Sequence, residues 1–143
     1  MASCDNPAMP ISECRIRRLI QFHEVDSASI VHFSWFYRYM EEAEYALWRS
    51  TGLKLAPSTE LAWPRVAASF EFKKPLRFGD EADVLIQIAS IGRNSISYRC
   101  VISLNGETCA IGSMTVVCAS GPPGQVRPTR VPDFIRDALT AAM

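Results

Sequence analysis

The chain has 143 residues, 48% of them hydrophobic and 21% charged, the size and balance of one globular domain with its own core. Fifteen basic residues offset fifteen acidic ones, so no overall positive field invites nucleic acid and no acidic arm stands out. No run approaches the ~18 apolar residues of a membrane span. The first residues lack a secretory apolar stretch, and the five cysteines form no CxxC pair. Together these predict a cytoplasmic protein in a reducing setting, with neither nucleic acid nor membrane as partner.

Residues 1–13 read as a flexible leader, polar and without periodicity, and residues 14–143 as a single domain. From Cys14, period-two alternation puts Cys14, Ile16, Ile20 and Phe22 on one side and Arg15, Arg17 and Gln21 on the other. That is a half-buried strand, with Arg18 interrupting its apolar row. His23 to Val31 follows, carrying the turn and cap formers Asp26, Ser27 and Ser29. From about Phe33 to Thr51, the residues Phe33, Phe36, Tyr37, Met40, Ala43 and Leu47 recur at three- and four-residue steps and predict a helix. At ~1.5 Å per residue it spans roughly 28 Å, and Gly52 sits where a C-terminal cap belongs.

A loop with Pro57 and Pro64 leads to four strand-like runs, Arg65–Lys73, Glu81–Ile91, Ser95–Leu104 and Glu107–Ala119. The links Phe78-Gly79-Asp80, Gly92-Arg93-Asn94 and Asn105-Gly106 are short, so the runs form an antiparallel meander. A turn-rich stretch, Gly121 to Pro128, ends the sheet, and a short helix is expected from Pro132 onward. Strand, long helix and four strands in succession make an α+β domain with one helix to cover one sheet. The sheet must curl round the helix or find a partner for a face or edge, which favours a homodimer or homotetramer.

The sequence has no GxSxG, P-loop, GxGxxG or HExxH motif. His23 and His32 are its only histidines, so a Ser-His-Asp triad or a zinc site is poorly supplied, and neither metal nor cofactor is expected. Hydrolysis would have to use a carboxylate on a substrate with an easy leaving group. A thioester is one, because its thiolate departs without a strong general acid. Asp26 lies just before the long helix, whose first N–H groups are unpaired and partly positive. There it is either a helix cap or a group facing a carbonyl polarised by those donors. In the second case it attacks the carbonyl or activates a water. Glu44, near the apolar stripe, is a lesser candidate carboxylate, as helix glutamates are mostly solvated.

The stretch Phe22-His23-Glu24-Val25-Asp26-Ser27-Ala28-Ser29-Ile30-Val31-His32-Phe33 resembles the entry motif of the 4-hydroxybenzoyl-CoA thioesterase family of hotdog-fold enzymes. The likeness continues through Tyr37-Arg38-Tyr39-Met40-Glu41-Glu42-Ala43 and through Phe70-Glu71-Phe72-Lys73-Lys74-Pro75-Leu76-Arg77-Phe78-Gly79-Asp80. It implies a hotdog fold, an antiparallel sheet wrapped around one long helix, and an acyl-CoA thioesterase acting on an acyl- or aroyl-CoA. It implies Asp26 as the catalytic carboxylate and the backbone amide of about Phe33 as the donor to the thioester carbonyl. It places a basic residue that contacts the coenzyme A nucleotide near Arg93; by their own positions Lys73 and Lys74, around a turn, are further basic candidates, and Ser29, His32, Trp35 and Phe36 are candidate contacts for the acyl group. Coenzyme A then belongs to the substrate. The family usually has Gly where this chain has Ser29, which keeps a non-catalytic acyl-CoA binding module in view. A hotdog hydratase or dehydratase is the other alternative, requiring His23 or His32 to reach the substrate's β-carbon.

Overall fold

A computed structural model describes residues 10–53 and 61–142. Most of the expected leader and the Pro57 part of the loop lie outside the described residues. Strand β1 runs Glu13–Leu19, helix α1 Ser34–Ser50, β2 Arg65–Phe72, β3 Glu81–Ile91, β4 Ser95–Leu104 and β5 Glu107–Val117. The five strands form one antiparallel sheet in the order β1-β3-β4-β5-β2. The two strands that flank α1 in sequence are therefore the two edges of the sheet. The helix crosses between them and lies against the sheet.

Alternation explains the register. In β3 and β4, Val84, Ile86 and Ile88 and then Ile96, Tyr98, Cys100 and Ile102 point inward, all of them buried. They meet Phe36, Tyr39, Met40, Ala43, Leu47 and Trp48 of α1 in one core. Asn105 and Gly106, with φ of 50° and 83°, make the tight left-handed link that an Asn-Gly hairpin requires. Gly52 follows the helix at φ 80°, and its N–H donates back to the Arg49 carbonyl at 3.1 Å, as an αL cap does.

Three boundaries differ from the alternation reading. β1 stops at Leu19, because the Glu24 carboxylate folds back to accept the Gln21 N–H at 2.9 Å and a 3-10 turn forms over Phe22–Glu24. The last long strand stops at Val117. Ala119–Ser120 instead forms β6, paired with β7 at Arg127–Pro128. Ile11, inside the expected leader, is buried and exchanges backbone hydrogen bonds with Ala138, the last residue of the short helix α2 (Asp133–Ala138), and with Thr140 just beyond it.

Cys100, Cys109 and Cys118 are buried free thiols, and burial pushes all three up, Cys100 to about 12. No helix among the described residues is long and apolar enough to cross a membrane.

Edge strand β2 is the least covered element of the sheet. Every residue from Arg65 to Phe72 except Phe70 is exposed, Val66 at 60% and Phe72 at 49%. An apolar edge left open in this way is a ready surface for another strand.

Candidate active site

Residues 24–32 close on themselves between β1 and α1. The His32 N–H donates to the Glu24 carbonyl at 2.9 Å, and the Asp26 N–H to the Ile30 carbonyl at 2.8 Å, while Val25 pairs antiparallel with Val31. The turn between the limbs puts Ser29 at φ 66°. This is the left-handed region that glycine enters without steric cost, so Ser29 keeps the turn a glycine would make. The Val31 N–H donates to the Leu76 carbonyl at 2.8 Å, tying the loop to the chain that leaves β2.

Asp26 is half-buried on one limb. Its Oδ1 accepts the Ala28 N–H at 2.8 Å, the Asx turn expected of a capping aspartate. Its Oδ2 accepts from no described residue. Phe33, on the other limb, begins the helical backbone at φ −54° and ψ −30°, and its N–H donates to no described residue. Both residues line a cavity of about 410 Å³, together with Ile30, Val31, Phe36, Phe72, Lys73, Lys74 and Pro75. The Phe36 and Phe72 rings meet edge to face at 5.0 Å and give the cavity an aromatic wall. Phe70, stacked on Phe72, lies over Gly112, where a Cβ would come within 2.6 Å of its ring. A glycine inside a strand marks such a close approach.

Of the other expected contacts, Phe36, Lys73 and Lys74 line this cavity, and Ser29, His32, Trp35 and Arg93 do not. Lys74 is ion-paired with Glu107, whereas Lys73 forms no ion pair with a described residue. His32 is exposed, with Nδ1 within 2.8 Å of the Ser34 hydroxyl and its ring against Phe33. His23 sits edge to face with Trp35 at 5.3 Å, and Trp35 in turn packs against Tyr39. Arg93 is exposed in the β3–β4 turn. Among the described residues no cluster of three or more His, Cys, Asp or Glu side chains is placed to hold a metal ion.

Two features escaped the sequence reading. Phe72 and Pro75 reach the cavity only because β2, an edge strand, ends beside the start of α1. Glu24 is fully buried inside a segment whose composition reads as an exposed turn. Glu44 is also fully buried, far from the cavity lining, and accepts from Arg65 at 2.5 and 3.2 Å.

Comparison with known proteins adds a family, two relatives and two solved structures. Residues 20–139 match the thioesterase-like superfamily. A protein of Aquifex aeolicus is 32% identical over 88 residues, covering 60% of this chain and 69% of the relative. A 1,4-dihydroxy-2-naphthoyl-CoA hydrolase of Synechococcus elongatus is 23% identical over 133 residues, covering 90% of this chain and 96% of the relative. Among solved structures, a 1,4-dihydroxy-2-naphthoyl-CoA thioesterase from Synechocystis superposes with a TM-score of 0.81 at 23% identity, over 89% of this chain and 95% of that one. A 4-hydroxybenzoyl-CoA thioesterase bound to 4-hydroxybenzoyl-CoA superposes with a TM-score of 0.82 at 17% identity, over 90% and 99% of the two chains. The fold is the hotdog fold.

Proposed function

The chain belongs to the thioesterase-like superfamily of thioester hydrolases, and on that premise we propose that it hydrolyses an acyl- or aroyl-CoA with Asp26 and the Phe33 amide as its working groups. One observation carries the reading. A carboxylate oxygen and a backbone N–H, each without a described partner, belong to residues lining the same apolar cavity. A carbonyl seated between them would have its oxygen on the Phe33 N–H at the helix start, where developing negative charge is stabilised. Asp26 Oδ2 would face the carbonyl carbon. It either adds to that carbon and expels the thiolate, leaving an acyl anhydride that water then opens, or it takes a proton from the water that adds. The Ala28 N–H on Oδ1 fixes the carboxylate's orientation in both cases.

The cavity volume falls in the ~300–1,000 Å³ range of small-molecule sites. It suits the acyl group and the thioester and leaves the coenzyme A nucleotide at the surface, near Lys73 and Lys74. The walls Phe33, Phe36 and Phe72 suit a flat apolar acyl group. Neither histidine lines the cavity, which favours hydrolysis over hydration. Open β2, the half-exposed Phe72 and the 59% exposure of Phe33 support a homodimer or homotetramer in which a second copy covers the cavity rim.

A thiol-release screen over aliphatic and aromatic CoA thioesters tests the activity. Asp26→Asn is expected to lower kcat by at least ~10²-fold, the scale of a lost acid–base group, with KM little changed. A rate near wild type in that variant overturns the assignment of Asp26.

A further inference from the structure

Arg18 occupies the one position that breaks the inward apolar row of β1, and its partner is Glu24. The guanidinium grips both Glu24 carboxylate oxygens, one at 3.1 Å through Nη1 and the other through Nη2. Its Nε donates to Glu42 at 2.8 Å, and it lies over the Tyr39 ring at 4.9 Å. The Tyr39 hydroxyl, itself buried, donates to Glu24 at 2.9 Å, and the Gln21 N–H adds a further bond at 2.9 Å. One inaccessible carboxylate thus receives β1, the 3-10 turn and α1 together.

Its place in the loop gives this convergence a consequence. The Glu24 carbonyl accepts the His32 N–H, so Glu24 stands where the two limbs of the 24–32 loop meet. Asp26 lies two residues along one limb, and Phe33 directly follows His32 on the other. Shifting Glu24 shifts both groups relative to the helix and the cavity.

We propose that Glu24, clamped by Arg18 and Tyr39, is a positioning residue that sets the separation of the Asp26 carboxylate and the Phe33 amide. The proposal rests on the assignment of those two groups above. Misplacing reacting groups by about 1 Å costs on the order of 10²-fold in rate, whereas a residue needed only for folding lowers the folded fraction and leaves the rate per folded molecule intact.

The test compares wild type, Asp26→Asn, Glu24→Gln and Tyr39→Phe on the best thioester from the screen, with rates normalised to folded protein by circular dichroism. Glu24→Gln is expected to lower kcat about 10- to 100-fold with KM within about threefold. Tyr39→Phe, which removes one hydroxyl and keeps the ring, is expected to lower kcat about 3- to 10-fold and decides the matter if Glu24→Gln does not fold. Wild-type kcat in the folded variants, or a change confined to KM, overturns the positioning role while Asp26→Asn still shows its loss. An Asp26→Asn rate equal to wild type, or no hydrolysis by the wild-type chain, overturns the parent reading and this one with it.

Discussion

Two fully buried glutamates, Glu24 in the turn before α1 and Glu44 in its second half, are held in opposite ways. Glu24, before the helix, is covered but shallow, with Arg18 forming its outer lid at 18% side-chain exposure. Burial works against its charge, yet the bonds from the Gln21 N–H, Arg18 and Tyr39 prevail and hold its carboxyl below the usual range. Glu44 lies deep under the second half of the helix. There burial dominates and raises its carboxyl, against the pull of Arg65 and of a hydrogen bond from Tyr98. Tyr98 also accepts the Trp48 indole N–H at 2.9 Å, so this site is a polar knot inside the core. The same residue type therefore serves as a firmly ionised anchor beside the cavity and as a charge borne at a cost away from it.

Neutral substitution at each site should expose that difference most strongly. Glu24→Gln loses charge-assisted bonds worth about 2 kcal/mol, and it leaves Arg18 facing an amide. Glu44→Gln keeps one acceptor oxygen and removes a charge that burial disfavours, although it turns an amide N–H toward one arm of Arg65, so its cost should be smaller than that of Glu24→Gln. Urea unfolding of the two variants side by side measures the gap. Equal losses would mean the two carboxylates are held alike. Activity should divide in the same way, with Glu44→Gln keeping wild-type kcat.

The pH dependence of stability gives a smaller contrast of opposite sign. A carboxyl lowered in the folded state stabilises above its ordinary value of 4.5, and that contribution fades as pH falls through the folded value. A carboxyl raised in the folded state contributes fully below 4.5, and its contribution is lost as pH rises through the folded value. The stability of wild type minus Glu24→Gln should therefore shrink on acidification below about pH 4.5. That of wild type minus Glu44→Gln should grow on acidification toward that pH. Unfolding midpoints measured from acid to neutral pH check both slopes, and parallel curves would dissolve the distinction.

How much of this was legible in the sequence follows the range of the interactions. Period-two alternation at Val84–Ile88 and Ile96–Ile102, and the three- and four-residue steps from Phe36 to Leu47, carry the strands and the helix because burial on one face dictates them locally. The Asn105-Gly106 turn was legible because both residues readily enter the left-handed backbone that a two-residue hairpin requires. Asp26 and Phe36 were legible as neighbours of the helix start. Phe72 and Pro75 were not, because only the strand order β1-β3-β4-β5-β2 brings the end of β2 to that point. Arg18 announced itself as a charge on an inward row. Its partner did not, because Glu24 sits among turn formers and is buried only by contacts with Tyr39, fifteen residues away.

The least effect should come from the turn that joins the limbs of the loop. Ser29 holds a φ of 66°, where a Cβ crowds the following carbonyl at a cost of roughly 1–2 kcal/mol. Glycine escapes that crowding but loses more chain entropy on folding, by about 0.5–1 kcal/mol. Ser29→Gly should therefore raise stability by about 0.5–1 kcal/mol, read as a higher urea midpoint at unchanged slope. Because the turn already has the glycine conformation, the separation of Asp26 from Phe33 should not change, and kcat should stay within about twofold of wild type. A large gain in kcat would mean that Ser29 distorts the loop after all and that the anchor at Glu24 does not by itself fix the limbs. Unchanged activity with the small stability gain would mean the geometry is set at the base of the loop, where Arg18 and Tyr39 hold Glu24, and not at its tip.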